Sequence, residues 1–236
     1  MRPRIEALGE DALLLRLEPR IDPGLNARVH ALAQRIAQAA PPWLGELVPG
    51  YASLAVCLRG DACGDGDADP LDLARDWLQA LLEAPLPAAL GTSAPLVEIP
   101  VCYDEIFAPD LDALAAHAGL SREEVVARHC AADYQVAMLG FAPGFPYLLG
   151  LDPALAMRRM ATPRLRVPAG SVAIGGAQTG LYPRESPGGW QVIGRTPLVV
   201  FDPQANPPCL LSPGQRVRFV AIDAARFARL GTAAGA

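Results

Sequence analysis

The sequence predicts an α+β protein of two domains, a compact layered α+β domain over residues 1–88 and a β-barrel or sandwich over residues 89–236. Strand-like and helix-like periodicities alternate through the first third. The segment APLPAALGTSAP (84–95) has the composition of a linker. From Gly140 to Pro213 the chain then holds 22 of its glycines and prolines, with short apolar runs between them. Short strands punctuated so regularly suit a closed or double sheet better than a parallel one.

In chain order, DALLLRL (11–17) reads as a strand. IDPGLNARVHALAQRIAQAA places Leu25, Val29, Leu32 and Ile36 at helical spacing, with Asp22 before Pro23 as a start signal. ELVPGYASLAVCL gives two strands split at Pro49-Gly50, and after the polar loop GDACGDGDADP the segment LDLARDWLQALLE is an amphipathic helix. The first domain is therefore a β-α-β-β-α unit. Beyond the linker, LVEIPVCY is a strand, Gly119 stops one short helix, and Ser121 with Glu124 opens another as a capping box. YQVAML is a strand and GFAPGFPYLLG a structured loop. SVAI, WQVI, PLVVF and RVRFV are further strands, and DAARFARL is a terminal helix.

Eighteen consecutive uncharged residues separate Asp133 from Asp152. Five glycines and prolines between Gly140 and Gly150 exclude a membrane helix, because they remove amide donors and favour turns. A net charge of -5 and a pI near 5.2 disfavour phosphate backbones and anionic membranes alike. The helix-turn-helix look of LAAHAGLSREEVVARH fails for the same reason, since Glu123 and Glu124 offset Arg122 and Arg128. Every basic residue is an arginine. Without lysine there is no Walker-A loop, Schiff base or Ser-Lys pair. The cysteines lack C-x-x-C spacing and the three histidines form no H-x-x-x-H pair, so no metal site is expected. MRPRIEALGEDA lacks the apolar core of a signal peptide, which predicts a cytoplasmic protein with reduced thiols. No G-x-S-x-G elbow occurs, and Gly175-Gly176 sits in neither a phosphate loop nor a dinucleotide fingerprint.

What remains is a binding region in the Gly/Pro-rich half. Gln178, Tyr182, Arg184, Glu185 and Ser186 fall on successive turns next to Trp190 and Arg195, and the GFAPGFPY loop adds Phe141 and Phe145. Aromatic walls with a few amide and guanidinium donors suit a small, planar, anionic amide. His129 ends a helix just before that loop and is a candidate acid/base. Arg158, Arg159, Arg164 and Arg166 form a cluster able to hold a carboxylate or phosphate.

HCAADYQVAMLGFAPGFPYLLGLDP and TPRLRVPAGSVAIGGAQTGLYPRESPGGWQVIGRTPLVVFD closely resemble the family of 5-oxoprolinase B subunits, also called the KipI or allophanate hydrolase subunit 1 family. The resemblance extends forward through IEALGEDALLLRL, LNARVHALAQRI and LVPGYASLAV. It implies a cytoplasmic protein whose C-terminal domain is a cyclophilin-like β-barrel. Such a chain acts with the C and A subunits of 5-oxoprolinase in an ATP-dependent opening of 5-oxo-L-proline to L-glutamate. ATP, with magnesium, is used by the complex, and no cofactor is expected to be held tightly by this chain alone. Phosphorylating the lactam oxygen turns a poor electrophile into one with a good leaving group. On this reading His129 and Arg195 are catalytic, and Arg164, Gln178, Tyr182, Ser186, Trp190, Phe141 and Phe145 bind substrate. The resemblance also leaves open inhibition of a sensor histidine kinase, and an allophanate or urea-related amidohydrolase.

Overall fold

The computed structural model describes residues 3–59, 69–83 and 95–233, so the Gly/Asp loop 60–68 and all but the last residue of the predicted linker lie outside the described residues. The chain divides into two compact units, Met1–Ser93 and Ala94–Ala236.

The first unit runs β1 (Arg4–Ala7), β2 (Ala12–Arg16), α1 (Pro23–Ala39), β3 (Leu44–Pro49), β4 (Ser53–Leu58) and α2 (Pro70–Glu83). Its antiparallel sheet has the order β1-β2-β4-β3. Strand alternation turns Leu13, Leu15, Leu54 and Val56 to one face, where they bury Val29, Leu32 and Ile36 of α1 with Ala74 and Leu78 of α2. The Asp22 side chain accepts the Leu25 N–H at 2.9 Å, satisfying a donor that the first helical turn leaves open. β1 adds a strand that the sequence pattern did not reveal. Its four residues, RIEA, are mostly exposed, so no apolar alternation marks them.

The second unit contains β5 (Leu96–Cys102), α3 (Leu111–Ala118), α4 (Arg122–Ala131), β6 (Tyr134–Leu139), β7 (Pro146–Leu149), β8 (Arg164–Val167), β9 (Ser171–Ile174), β10 (Thr179–Leu181), β11 (Ser186–Gly188), β12 (Gln191–Arg195), β13 (Arg216–Ile222) and α5 (Ala224–Ala233). Seven of these strands close a barrel in the order β10-β7-β6-β13-β5-β12-β9, sealed where β9 pairs with β10. β13 lies parallel to β5. β8 and β11 form a separate two-stranded ribbon. Val101, Val136, Leu148, Val172, Ile193, Val217 and Phe219 fill the barrel, and α3 and α4 close over it with Leu114 and Val125. At the start of α4 both halves of the capping box form, Glu124 N–H to Ser121 Oγ at 3.1 Å and Ser121 N–H to the Glu124 carboxylate at 2.8 Å.

Two readings of this unit need correction. The uncharged stretch after Asp133 is a strand pair, because Pro146–Leu149 pairs with both β6 and β10 rather than remaining loop. PLVVF is not a strand: Phe201 makes one isolated bridge, to Cys209, in a segment bracketed by Pro197, Pro203, Pro207 and Pro208. Its apolar run reflects burial of Val200 and not pairing, since proline supplies no ladder donor.

Candidate functional site

The GFAPGF segment is the turn between β6 and β7. Gly140 N–H donates to Phe145 O at 3.1 Å and Phe145 N–H to Ala142 O at 3.0 Å, which closes the turn tightly. Gly144 lies at φ 78, a left-handed conformation natural to glycine, but Phe141 also lies at φ 66. An L-residue there costs about 1–2 kcal/mol, and such strain gathers at binding sites. Its ring is 63% exposed, held above Phe145 at a centroid distance of 5.4 Å.

Phe145 is the centre of an aromatic cluster. Tyr147, Tyr182 and Trp190 surround it at 4.9, 5.2 and 5.5 Å in tilted or edge-on geometry. With Phe141, Arg159, Met160 and Pro163 these rings line a cavity of about 170 Å³ whose remaining wall is Gly188 and Gly189. Three glycines let the rings sit so close. A Cβ on Gly175 would lie 2.5 Å from the Trp190 ring, one on Gly180 3.0 Å from Phe145, and one on Gly188 2.3 Å from the Tyr182 hydroxyl. Part of the glycine enrichment of this half is therefore a seat for aromatic rings.

Among the described residues the single charge at the cavity is Arg159, exposed and 5.5 Å from the Trp190 ring centroid. Burial pushes the Tyr147 phenol above its ordinary value, against the pull of Arg159. Burial raises Tyr182 likewise, opposed by the Trp190 backbone N–H and by Arg159. Both phenols are neutral donors at physiological pH. None of the described residues lining the cavity carries a carboxylate, imidazole or thiol, so its walls can bind and orient but cannot act as a base near neutrality.

Phe141, Phe145, Tyr182 and Trp190 thus line one cavity, and the other candidates are placed elsewhere. His129 is fully buried in the barrel interior, stacked on Phe219 at 4.4 Å, and does not line the cavity. The Thr179 hydroxyl donates to Ala173 O at 3.1 Å and so accepts from His129 Nε2 at 3.3 Å, which leaves Nδ1 as acceptor of the Tyr103 hydroxyl at 2.8 Å. Desolvation lowers its pKa to about 3. The imidazole is thus neutral, with both nitrogens engaged and no solvent access, and it stands apart from the aromatic cavity. Arg164 is tied by both terminal nitrogens to Asp110, at 2.9 and 2.6 Å, and Asp110 also accepts the Val192 N–H. Its guanidinium braces α3 against β8 and β12 instead of facing a ligand. Arg195 donates from Nε to Ala169 O at 2.8 Å, pinning the turn before β9. Gln178 is buried in the β9–β10 turn, and Ser186 Oγ is shielded from solvent without a hydrogen-bond partner; neither lines the cavity. Arg159 was visible in the sequence only as one member of a four-arginine cluster, and the ring beneath it sets it apart.

Among the described residues no group of three or more His, Cys, Asp or Glu side chains could hold a metal ion. No described helix is long and apolar enough to cross a membrane.

The fold is a closed seven-stranded barrel beside an aromatic cavity with one arginine at its edge. The chain belongs to the carboxyltransferase domain family, subdomain C and D, whose model matches residues 3–211, and within it to the group of 5-oxoprolinase B subunits. It is 42% identical over 228 residues to the 5-oxoprolinase B subunit of Bacillus subtilis, covering 94% of each chain. To the protein of that name from Escherichia coli O157:H7 it is 44% identical over 220 residues, covering 93% of this chain and 96% of the relative. The crystal structure of TTHA0988 superposes with a TM-score of 0.75 at 40% identity, covering 90% of this chain but 40% of that longer one.

Proposed function

We propose that this chain is the B subunit of a multi-subunit, ATP-dependent 5-oxoprolinase and that its aromatic cavity receives 5-oxo-L-proline. The observation that carries this reading is the pairing of Arg159 with the Trp190 face at the mouth of a small aromatic cavity. The flat lactam ring lies against the aromatic walls, its carboxylate meets the guanidinium, and its amide oxygen accepts from a phenol hydroxyl. Volume favours the compact lactam over a nucleotide, since about 170 Å³ is well under the roughly 300–1,000 Å³ of pockets that hold drug-sized ligands.

The same cavity argues for partners. With no base in its walls it orients the lactam, while the group that activates water and the site that binds ATP come from the A and C subunits. The lysine-free composition fits this division, because the chain cannot supply a P-loop lysine. The longer TTHA0988 chain, of which this fold occupies only part, is the arrangement expected if such a unit works beside a second one.

Reconstitution with the A and C subunits and assay of ATP-dependent glutamate release tests the proposal. Omitting this chain is expected to abolish release, and Arg159→Gln or Trp190→Ala to raise KM for 5-oxo-L-proline tenfold or more while changing kcat less. Full turnover without the chain, or unchanged KM in both folded variants, would overturn it.

A further inference from the structure

The first unit carries a separate hollow of about 810 Å³ with a different chemistry. Arg4, Arg16, Arg20 and Arg28 stand around it, and Leu17, Pro19 and Leu25 supply apolar surface. These four are a fifth of the arginines in a chain whose net charge is -5. Acidic side chains stand among them: Glu6 reaches Arg16 at 3.3 Å, and Glu18, which also lines the hollow, reaches Arg20 at 3.4 Å. Both pairs are largely exposed and hold little energy.

The strand register adds an independent observation. Arg4 of β1 and Arg16 of β2 are direct cross-strand partners. They share the sheet face opposite the one on which Leu13 and Leu15 enter the core. Like charges directly opposite on an antiparallel pair are destabilising, and a local conflict of this kind marks places where function outweighs stability. An anion seated between the two guanidiniums removes the repulsion and receives their forked donors. The leucines and the proline beside them would cover an apolar body attached to that anion.

We infer that the hollow around Arg4, Arg16, Arg20 and Arg28 is a second ligand site, for an organic anion that joins a carboxylate or phosphate head to an apolar chain or ring. It is distinct from the aromatic cavity, whose lining shares no residue with it.

Calorimetric titration of the full chain with hexanoate, hexyl phosphate and hexylamine tests the inference. At least one of the two anions is expected to bind saturably at one site, and the tighter one identifies the head group. Hexylamine is expected not to bind. Arg4→Gln and Arg16→Gln alter exposed side chains, so both variants fold, which circular dichroism checks, and each weakens the anion at least tenfold. Failure of both anions to saturate, equal binding of hexylamine, or unchanged affinity in both variants would overturn the site.

Discussion

A histidine locked inside a barrel leaves a signature in the pH dependence of stability. The folded pKa of His129, about 3, lies below the unfolded value near 6.5, so the unfolded chain binds the extra proton. Its contribution is complete above pH ~6.5 and is lost as pH falls toward about 3, at roughly 1.4 kcal/mol per pH unit. Between pH 7 and 5 the wild type should lose about 2 kcal/mol more unfolding free energy than His129→Phe, measured by urea denaturation. Parallel losses would mean that His129 is protonated in the fold. Phe141 is the opposite case, an exposed residue in a left-handed backbone conformation, which the proposed function assigns to binding. Phe141→Gly relieves the left-handed backbone and should leave stability within about 1 kcal/mol of wild type while weakening 5-oxo-L-proline binding in the complex. A large drop in melting temperature with unchanged affinity would reverse that assignment. The sequence singled out both residues through their neighbourhood, a helix end and a Gly/Pro-rich loop. It did not reveal that one faces the barrel core and the other the cavity, because facing depends on strand pairing across the barrel.

At the level of elements, what holds the cavity is a set of glycine seats and one buried strap. Gly175→Ala drives a Cβ into the Trp190 ring and should cost about 2 kcal/mol, with a shift in tryptophan fluorescence. Gly176→Ala meets open space and carries only the left-handed backbone penalty, about 1 kcal/mol, with fluorescence unchanged. Equal effects at the two positions would show that the seat is not packed as described. The strap is the Asp110–Arg164 pair, which joins α3 to β8 and β12. Asp110→Ala removes the carboxylate that accepts from the half-buried Arg164 and from the Val192 N–H, so it should destabilise by about 2 kcal/mol in thermal or urea unfolding. Elements with end signals were legible in advance: α1 from Asp22-Pro23, and α4 from Ser121 and Glu124. β1 and β7 were not, the first because its residues are mostly exposed, the second because Pro146 and the glycines around it read as loop. The apolar run 197–201 misled in the other direction, since burial without pairing looks like a strand in sequence.

Across the whole molecule, composition marked out the half of the chain that holds the cavity, and its aromatic residues were legible because rings among turn-forming glycines stand out. The arginine that lines the cavity was harder to choose. Arg164 and Arg195 looked as available as Arg159, and only the fold shows one guanidinium committed to Asp110 and another to a backbone carbonyl. On the function proposed above, a cavity that orients the lactam but lacks a base would leave the reacting groups to neighbouring subunits. The most direct test is an equilibrium titration of 5-oxo-L-proline into the complex of this chain with the A and C subunits, without ATP, comparing wild type with Arg159→Gln. The account predicts saturable binding that weakens tenfold or more in the variant, about 1.4 kcal/mol. Equal affinity in the two proteins would contradict it.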